Sequence, residues 1–294
     1  MKVFSPQAHV RIEFFIRNQH ARRLHSSFVF GLRIHERTPE RVRGLRCFSG
    51  TRTQELKIDG VKHAIAVASG KGGVGKSTTA VNLAVALANK CQLKVGLLDA
   101  DVYGPNVPIM MKLDRKPEVT EDKKMVPIEN YGVKCMSIGL LVEKDAPLVW
   151  RGPMFTLVIT TIPASLPGAL IVSTPQDVAL MDVRRGVNMF SKVEVPIVGI
   201  VENMSWFKCP HCSELSFIFG KAGTRKIADE MGLAFLGEIP LEPTIREGCD
   251  EGVPIVISTP DSAVSKAYVD VAHKVVNRLE ELSKEEQSRP EIHL

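Results

Sequence analysis

IAVASGKGGVGKST, residues Ile65–Thr78, decides the fold. Ile65, Ala66, Val67 and Ala68 form a short apolar run that predicts a buried strand, and Thr79–Ala88 (TAVNLAVALA) has the apolar density of a helix packed on a sheet. Between them, Gly70, Gly72, Gly73 and Gly75 let successive backbone N–H groups turn inward where a Cβ would obstruct a phosphate. The loop Gly70-Lys71-Gly72-Gly73-Val74-Gly75-Lys76-Ser77-Thr78 therefore predicts an anion nest at a helix N-terminus. In such a nest Lys76 reaches the outer phosphates and the Ser77 hydroxyl meets Mg²⁺. The full GxxxxGK[ST] spacing in strand–helix context makes a nucleotide's phosphates the expected ligand.

Working outward, 294 residues at 44% hydrophobic composition are enough for one large α/β domain with an appendage, and no apolar run reaches membrane-spanning length. The formal charge of +5 is unevenly placed. Residues 1–48 hold ten basic residues against three acidic ones, so the remainder carries about −2. Bulk charge thus gives no case for nucleic acid. The N-terminal segment is arginine-rich and acid-poor, with Ile12, Phe14, Phe15 and Ile16 set among arginines, as in a mitochondrial presequence. Arg46-Cys47-Phe48-Ser49 resembles a matrix processing site. The expectation is that 1–48 is disordered and outside the fold, 49–63 is a lead-in, 64–282 is the folded domain and 283–294 is a polar tail. A basic tail acting on anionic surfaces is the competing reading.

Lys94–Asp99 (KVGLLD) predicts a second buried strand that ends in Asp99-Ala100-Asp101. Carboxylates at the carboxyl end of a strand beside a phosphate loop lie where doubly wound sheets bind ligands. The plainer role for either is to cap the following turn. Leu113–Asn130 is polar and proline-punctuated and predicts a surface loop, after which Tyr131–Leu141 reads as strand and turn. Pro196–Val201 and Phe235–Leu241 predict further strands. Phe219–Met231 and Ser262–Leu282 predict helices, the latter with Val264, Tyr268, Val271, Val275, Leu279 and Leu282 on one stripe. The mixed charge of its other face points to packing on the sheet, leaving at most peripheral membrane contact.

Cys209-Pro210-His211-Cys212 is the one CxxC. It can be half of a metal site, a redox dithiol or two idle thiols. One chain supplies two clustered thiolates where zinc or a [4Fe–4S] cluster needs four ligands, and a two-fold homodimer supplies the other two. Cys47, Cys91, Cys135 and Cys249 are scattered and expected to be reduced.

KGGVGKST resembles the deviant phosphate loop of the MinD/ParA/Mrp ATPases, and the Asp99–Asn106, Glu202-Asn203-Met204-Ser205 and CPHC stretches narrow the resemblance to the Mrp/NUBPL branch. It implies a doubly wound, mainly parallel sheet in which Lys71 crosses a dimer interface to the partner's nucleotide. It further implies that Asp101, supported by Asp99, orients the attacking water and holds the Mg²⁺ shell. Asn203 is implied to read adenine, although an asparagine at a strand end is also a common turn residue. Together with the presequence, the resemblance implies nucleotide-gated carriage of a [4Fe–4S] cluster, shared by paired cysteines of two subunits, ATP serving as the nucleotide, to apo-subunits of respiratory complex I in the mitochondrial matrix.

One departure stands out. In relatives, the arginine-glycine turn matched here by Arg151-Gly152 precedes a long helix and a strand ending in a metal-holding aspartate. Here Phe155–Pro167 runs straight into Gly168–Asp177, and no Asp or Glu lies between Trp150 and Gln176. About one βα unit of ~30 residues is missing. The expectation is that either Phe155–Ile162 takes the lost strand's place or the sheet lacks a central member. Nucleotide binding is expected to survive this loss better than efficient hydrolysis, because one of two Mg²⁺ anchors is gone.

Overall fold

The computed structural model describes residues 61–101, 104–121, 125–141 and 168–287, together with the main-chain course of Arg11–Asn18. The remainder of the 1–48 segment, the lead-in before residue 61, the Arg151-Gly152 turn, Phe155–Pro167 and the end of the polar tail lie outside the described residues. Among the described residues the main sheet has eight strands: β1 (Arg11–Asn18), β2 (His63–Ser69), β3 (Lys94–Asp99), β4 (Ile128–Asn130), β5 (Val133–Ser137), β6 (Gly168–Ser173), β7 (Ile197–Asn203) and β10 (Phe235–Ile239). Their order across the sheet is β10-β7-β6-β2-β1-β3-β5-β4. A separate hairpin joins β8 (Phe207–Lys208) to β9 (Leu215–Ser216).

Alternation along the strands makes this a three-layer domain. Ile65 and Val67 of β2 join one core with helix α1 (Lys76–Asn89) and the C-terminal helix (Ala263–Gln287), while Ala66 and Ala68 face the other side against Phe190 and Val195. Successive side chains of an extended strand point to opposite faces, so a strand covered on both faces must be apolar along its middle, as β2 and β6 are. On the second face, Ile171 and Ile200 pack with Leu180, Val183 and Val187 of one helix (Asp177–Lys192) and Ile227 and Ala228 of another (Gly223–Glu230). In order after α1, the helices are α2 (Val107–Met110), α3 (Asp177–Lys192), α4 (Gly223–Glu230), α5 (Pro243–Glu251), α6 (Ile255–Ser258) and α7 (Ala263–Gln287). The expected stripe on α7 is buried from Val264 to Leu279. The stretch expected to be a surface loop contributes a short edge strand, β4, antiparallel to β5.

Two corrections concern the centre of the sheet. β10, β7, β6 and β2 run parallel, as do β3 and β5, but β1 lies between β2 and β3 and is antiparallel to both. Residues 11–18 were expected outside the fold; in the structure they form its central strand. The lost member's position, expected to be vacant or taken by Phe155–Ile162, is held by these eight residues instead. The physical cause is hydrogen-bonding demand. Without an occupant, β2 and β3 would each bury a row of unpaired N–H and C=O groups.

Candidate phosphate-loop and cysteine site

β2 ends at Ser69 and α1 begins at Lys76, so the glycine loop spans a strand-to-helix turn at the carboxyl edge of the sheet. Its curvature depends on left-handed backbone at Gly73 (φ 82°) and Gly75 (φ 79°), a region that side-chain-bearing residues rarely enter. Gly75 is also constrained by packing, because a Cβ there would stand 2.1 Å from Asn203 Nδ2. Gly70 is excluded from bearing a side chain for another reason: its Cβ would meet the Asp182 main-chain carbonyl of α3 at 2.4 Å. Gly72 and Gly73 have open space at that position, as a loop that admits a bulky anion requires. The Ser69 hydroxyl donates to Lys71 O at 3.0 Å and steadies the entry.

Lys76 is 5% exposed, and its Nζ donates to Ser77 Oγ at 3.5 Å. Ser77, Thr78 and Lys71 are half-buried. Beside the loop, Asp99 Oδ1 accepts from Asp101 N at 3.1 Å, and Asp99 Oδ2 accepts from Val107 N at 3.3 Å and Ser137 Oγ at 2.9 Å. Asp99 is thereby occupied in shaping the β3–α2 turn, which fixes the buried Asp101 at the same edge. Ser77 and Asp101 suit the hard-cation chemistry of Mg²⁺, since both offer oxygen ligands at the loop's edge. Asn203 closes the loop from the end of β7: its Nδ2 donates to Val74 O at 2.9 Å. The other Nδ2 hydrogen and Oδ1 carry the donor and acceptor capacity that a purine edge needs.

Sequence reasoning missed that Cys249 of α5 reaches the loop helix, its Sγ donating to Thr78 Oγ1 at 3.7 Å. It also missed Glu202, whose Oε2 accepts from Thr224 N at 2.9 Å and ties β7 to α4. Burial holds the Glu202 carboxyl above its usual range. Neither contact has a local signal, because each joins residues far apart in sequence.

Cys209 and Cys212 lie on the turn between β8 and β9. Cys209 N donates to Glu214 O and Ser213 N to Cys209 O, both at 2.9 Å, with Ser213 left-handed at φ 62°. The turn holds both cysteines: the Cys212 thiol donates to Glu214 Oε2 at 3.9 Å, and the neighbouring backbone N–H groups of Cys212 and His211, then the Cys212 side chain, lower the pKa of Cys209 from the ordinary value. Donors aimed at sulfur favour the thiolate, the form that binds metal. Cys135, by contrast, is pushed up to about 12 by burial, and burial also raises Cys249. Iodoacetamide at neutral pH is therefore expected to alkylate Cys209 before Cys135 or Cys249, as peptide mass mapping can check; faster labelling of Cys249 would contradict this geometry. Among the described residues no group of three or more metal-ligating side chains is assembled within the chain.

A phosphate loop at the carboxyl edge of a mainly parallel sheet defines a P-loop NTPase of MinD/ParA type. Among solved structures the chain is similar to a nucleotide-binding protein of Archaeoglobus fulgidus in complex with ADP. The two are 32% identical, with a TM-score of 0.54 over 63% of this chain and 84% of that one. The MinD cell-division ATPase of Pyrococcus furiosus shares the fold at a TM-score of 0.52 and 24% identity, over 72% and 98% of the two chains. The family described as "ParA: NUBPL iron-transfer P-loop NTPase" matches residues 60–166 and 157–276, and the chain belongs to it.

The Arabidopsis thaliana "Iron-sulfur protein required for NADH dehydrogenase, mitochondrial" is 62% identical over 263 residues, covering 80% of this chain and 84% of that one. The Mus musculus "Iron-sulfur cluster transfer protein NUBPL" is 49% identical over 77% and 80% of the two chains. Eighty per cent of 294 residues is about 235, so about 28 positions of the Arabidopsis alignment face a gap in this chain. That agrees in size with the missing βα unit of ~30 residues.

Proposed function

We propose that this protein is a nucleotide-dependent iron–sulfur cluster carrier that works as a homodimer in the mitochondrial matrix and delivers [4Fe–4S] cargo to apo-subunits of respiratory complex I. The observation that carries the reading is the placement of Cys209 and Cys212 on one exposed hairpin turn, which is closed by hydrogen bonds from Cys209 N to Glu214 O and from Ser213 N to Cys209 O. Two thiolates per chain match half of a four-thiolate cluster site, so a second copy completes it. Leu215, Phe217 and Ile218 just beyond the turn are exposed, as are Val178 and Met181 of α3, which gives the copy an apolar surface to cover. The printed names of the Arabidopsis and mouse relatives support the cargo and its destination.

In this reading Gly70–Thr78 hold the phosphates of ATP, with Lys76 neutralising their charge and Lys71 reaching the partner's nucleotide. Ser77 and Asp101 meet Mg²⁺, Asp99 positions Asp101, and Asn203 reads the base. Lys71, Lys76 and Asp101 are the groups assigned to phosphate chemistry. Binding alone is enough to bias a dimer between holding and releasing states, provided ATP favours one of them. The link is short: Asn203 touches the loop and Phe207 opens the cysteine hairpin.

Anaerobic incubation with ferrous iron and sulfide tests the proposal. The expected result is a broad visible absorption with four irons per two chains, on a species of dimer mass. A colourless protein that retains stoichiometric zinc would overturn the cluster assignment in favour of structural zinc.

A further inference from the structure

We propose that Arg11–Asn18 are a built-in replacement for the sheet's central strand, and that the slot between β2 and β3 is a strand-receiving site filled by this segment of the same chain. The register is continuous on both sides. Arg11 to Arg17 pair with Ser69 to His63, and Glu13 to Asn18 pair with Asp99 to Lys94. No bulge interrupts either ladder. All seven residues of β2 are buried, so its main chain depends on protein partners along its whole length.

The occupant's sequence fits the task. RIEFFIRN holds two isoleucines and two phenylalanines without proline or glycine, a composition that favours extended pairing in a covered sheet. Direction fits as well. A βα unit restored in parallel would need a crossover connection of a dozen or more residues, whereas an antiparallel strand needs none of that architecture. The segment is free to arrive from the N-terminal side and still satisfy both neighbours. Register also sets Glu13 level with Asp99 and Arg11 level with Ser69, at the edge that carries the phosphate loop.

One consequence bears on processing. Cleavage at Arg46–Ser49 would cut the covalent link between β1 and the rest of the chain, leaving the strand held by its two ladders alone.

Hydrogen–deuterium exchange on the full chain, read by peptide mass, tests the inference without nucleotide or cluster, so its failure and that of the carrier reading are separable. Amides of 11–18 should exchange at least ~100-fold more slowly than in an unstructured peptide, together with those of 63–69 and 94–99. Phe14→Pro, which removes a donor in mid-ladder, should speed exchange in both neighbouring strands by at least ~10-fold. Immediate exchange of 11–18 beside protected 63–69 would overturn the proposal. So would protection appearing in 155–162 instead, or neighbours indifferent to Phe14→Pro.

Discussion

Replacing either Cys209 or Cys212 with serine is expected to abolish the visible absorption of the reconstituted protein and its bound iron, while leaving thermal unfolding within a few degrees of the parent. The size of the first effect follows from ligand arithmetic. Each substitution removes two of four thiolates from a two-fold site, and a serine hydroxyl, far less acidic than a thiol, does not replace a soft sulfur ligand. The smallness of the second follows from placement, since the cysteines stand on a two-residue-strand hairpin outside the main sheet. Iron and sulfide quantitation per chain, with a melting curve on the same samples, provides the measurement. Undiminished iron in both variants would remove this hairpin from the cluster site.

Lys76→Ala is expected to weaken ATP binding by at least about 100-fold. The Nζ group is held at the start of α1 beside Ser77 Oγ, where the helix end and the loop's N–H groups converge. Two charge-assisted bonds from it to phosphate oxygens, at about 1.5–3 kcal/mol each, sum to about 3 kcal/mol or more. At 1.4 kcal/mol per tenfold, that is two orders of magnitude in Kd. Titration calorimetry with Mg-ATP on parent and variant measures it. Any ATP turnover by the parent should vanish in Lys76→Ala, and equal rates would show that the loop has no part in cleavage.

Much of the domain could be read from local pattern. Lys94–Asp99 carries the bounds of β3, and the α7 stripe is buried as its spacing of three and four demands. The loop was legible because glycine, lysine and hydroxyl positions each have a local physical reason. What escaped depends on partners distant in sequence. Gly70 was credited to phosphate approach, yet it is the Asp182 carbonyl, over a hundred residues away, that forbids a Cβ there. Asn203 was read against adenine, and its hydrogen bond to Val74 O became visible only when β7 was placed beside the loop.

Residues 11–18 were misread for a different reason. Arginines among isoleucine and phenylalanine satisfy both an amphipathic helix and a strand, and eight residues are too few for periodicity to separate them. What favours the strand is a vacancy elsewhere in the chain, which no local window contains.

The direction of β1 has a consequence for how the protein is made. Arg11–Asn18 are synthesised ahead of both strands they join, and Asn18 meets Lys94 only once about 76 further residues exist. Until β3 has emerged, a strand carrying two isoleucines and two phenylalanines waits with at least one edge unpaired, open to association with other nascent chains. The centre of this sheet therefore cannot close before residue 94 has been made, and production yield should depend on how quickly residues 63–99 follow the first eighteen.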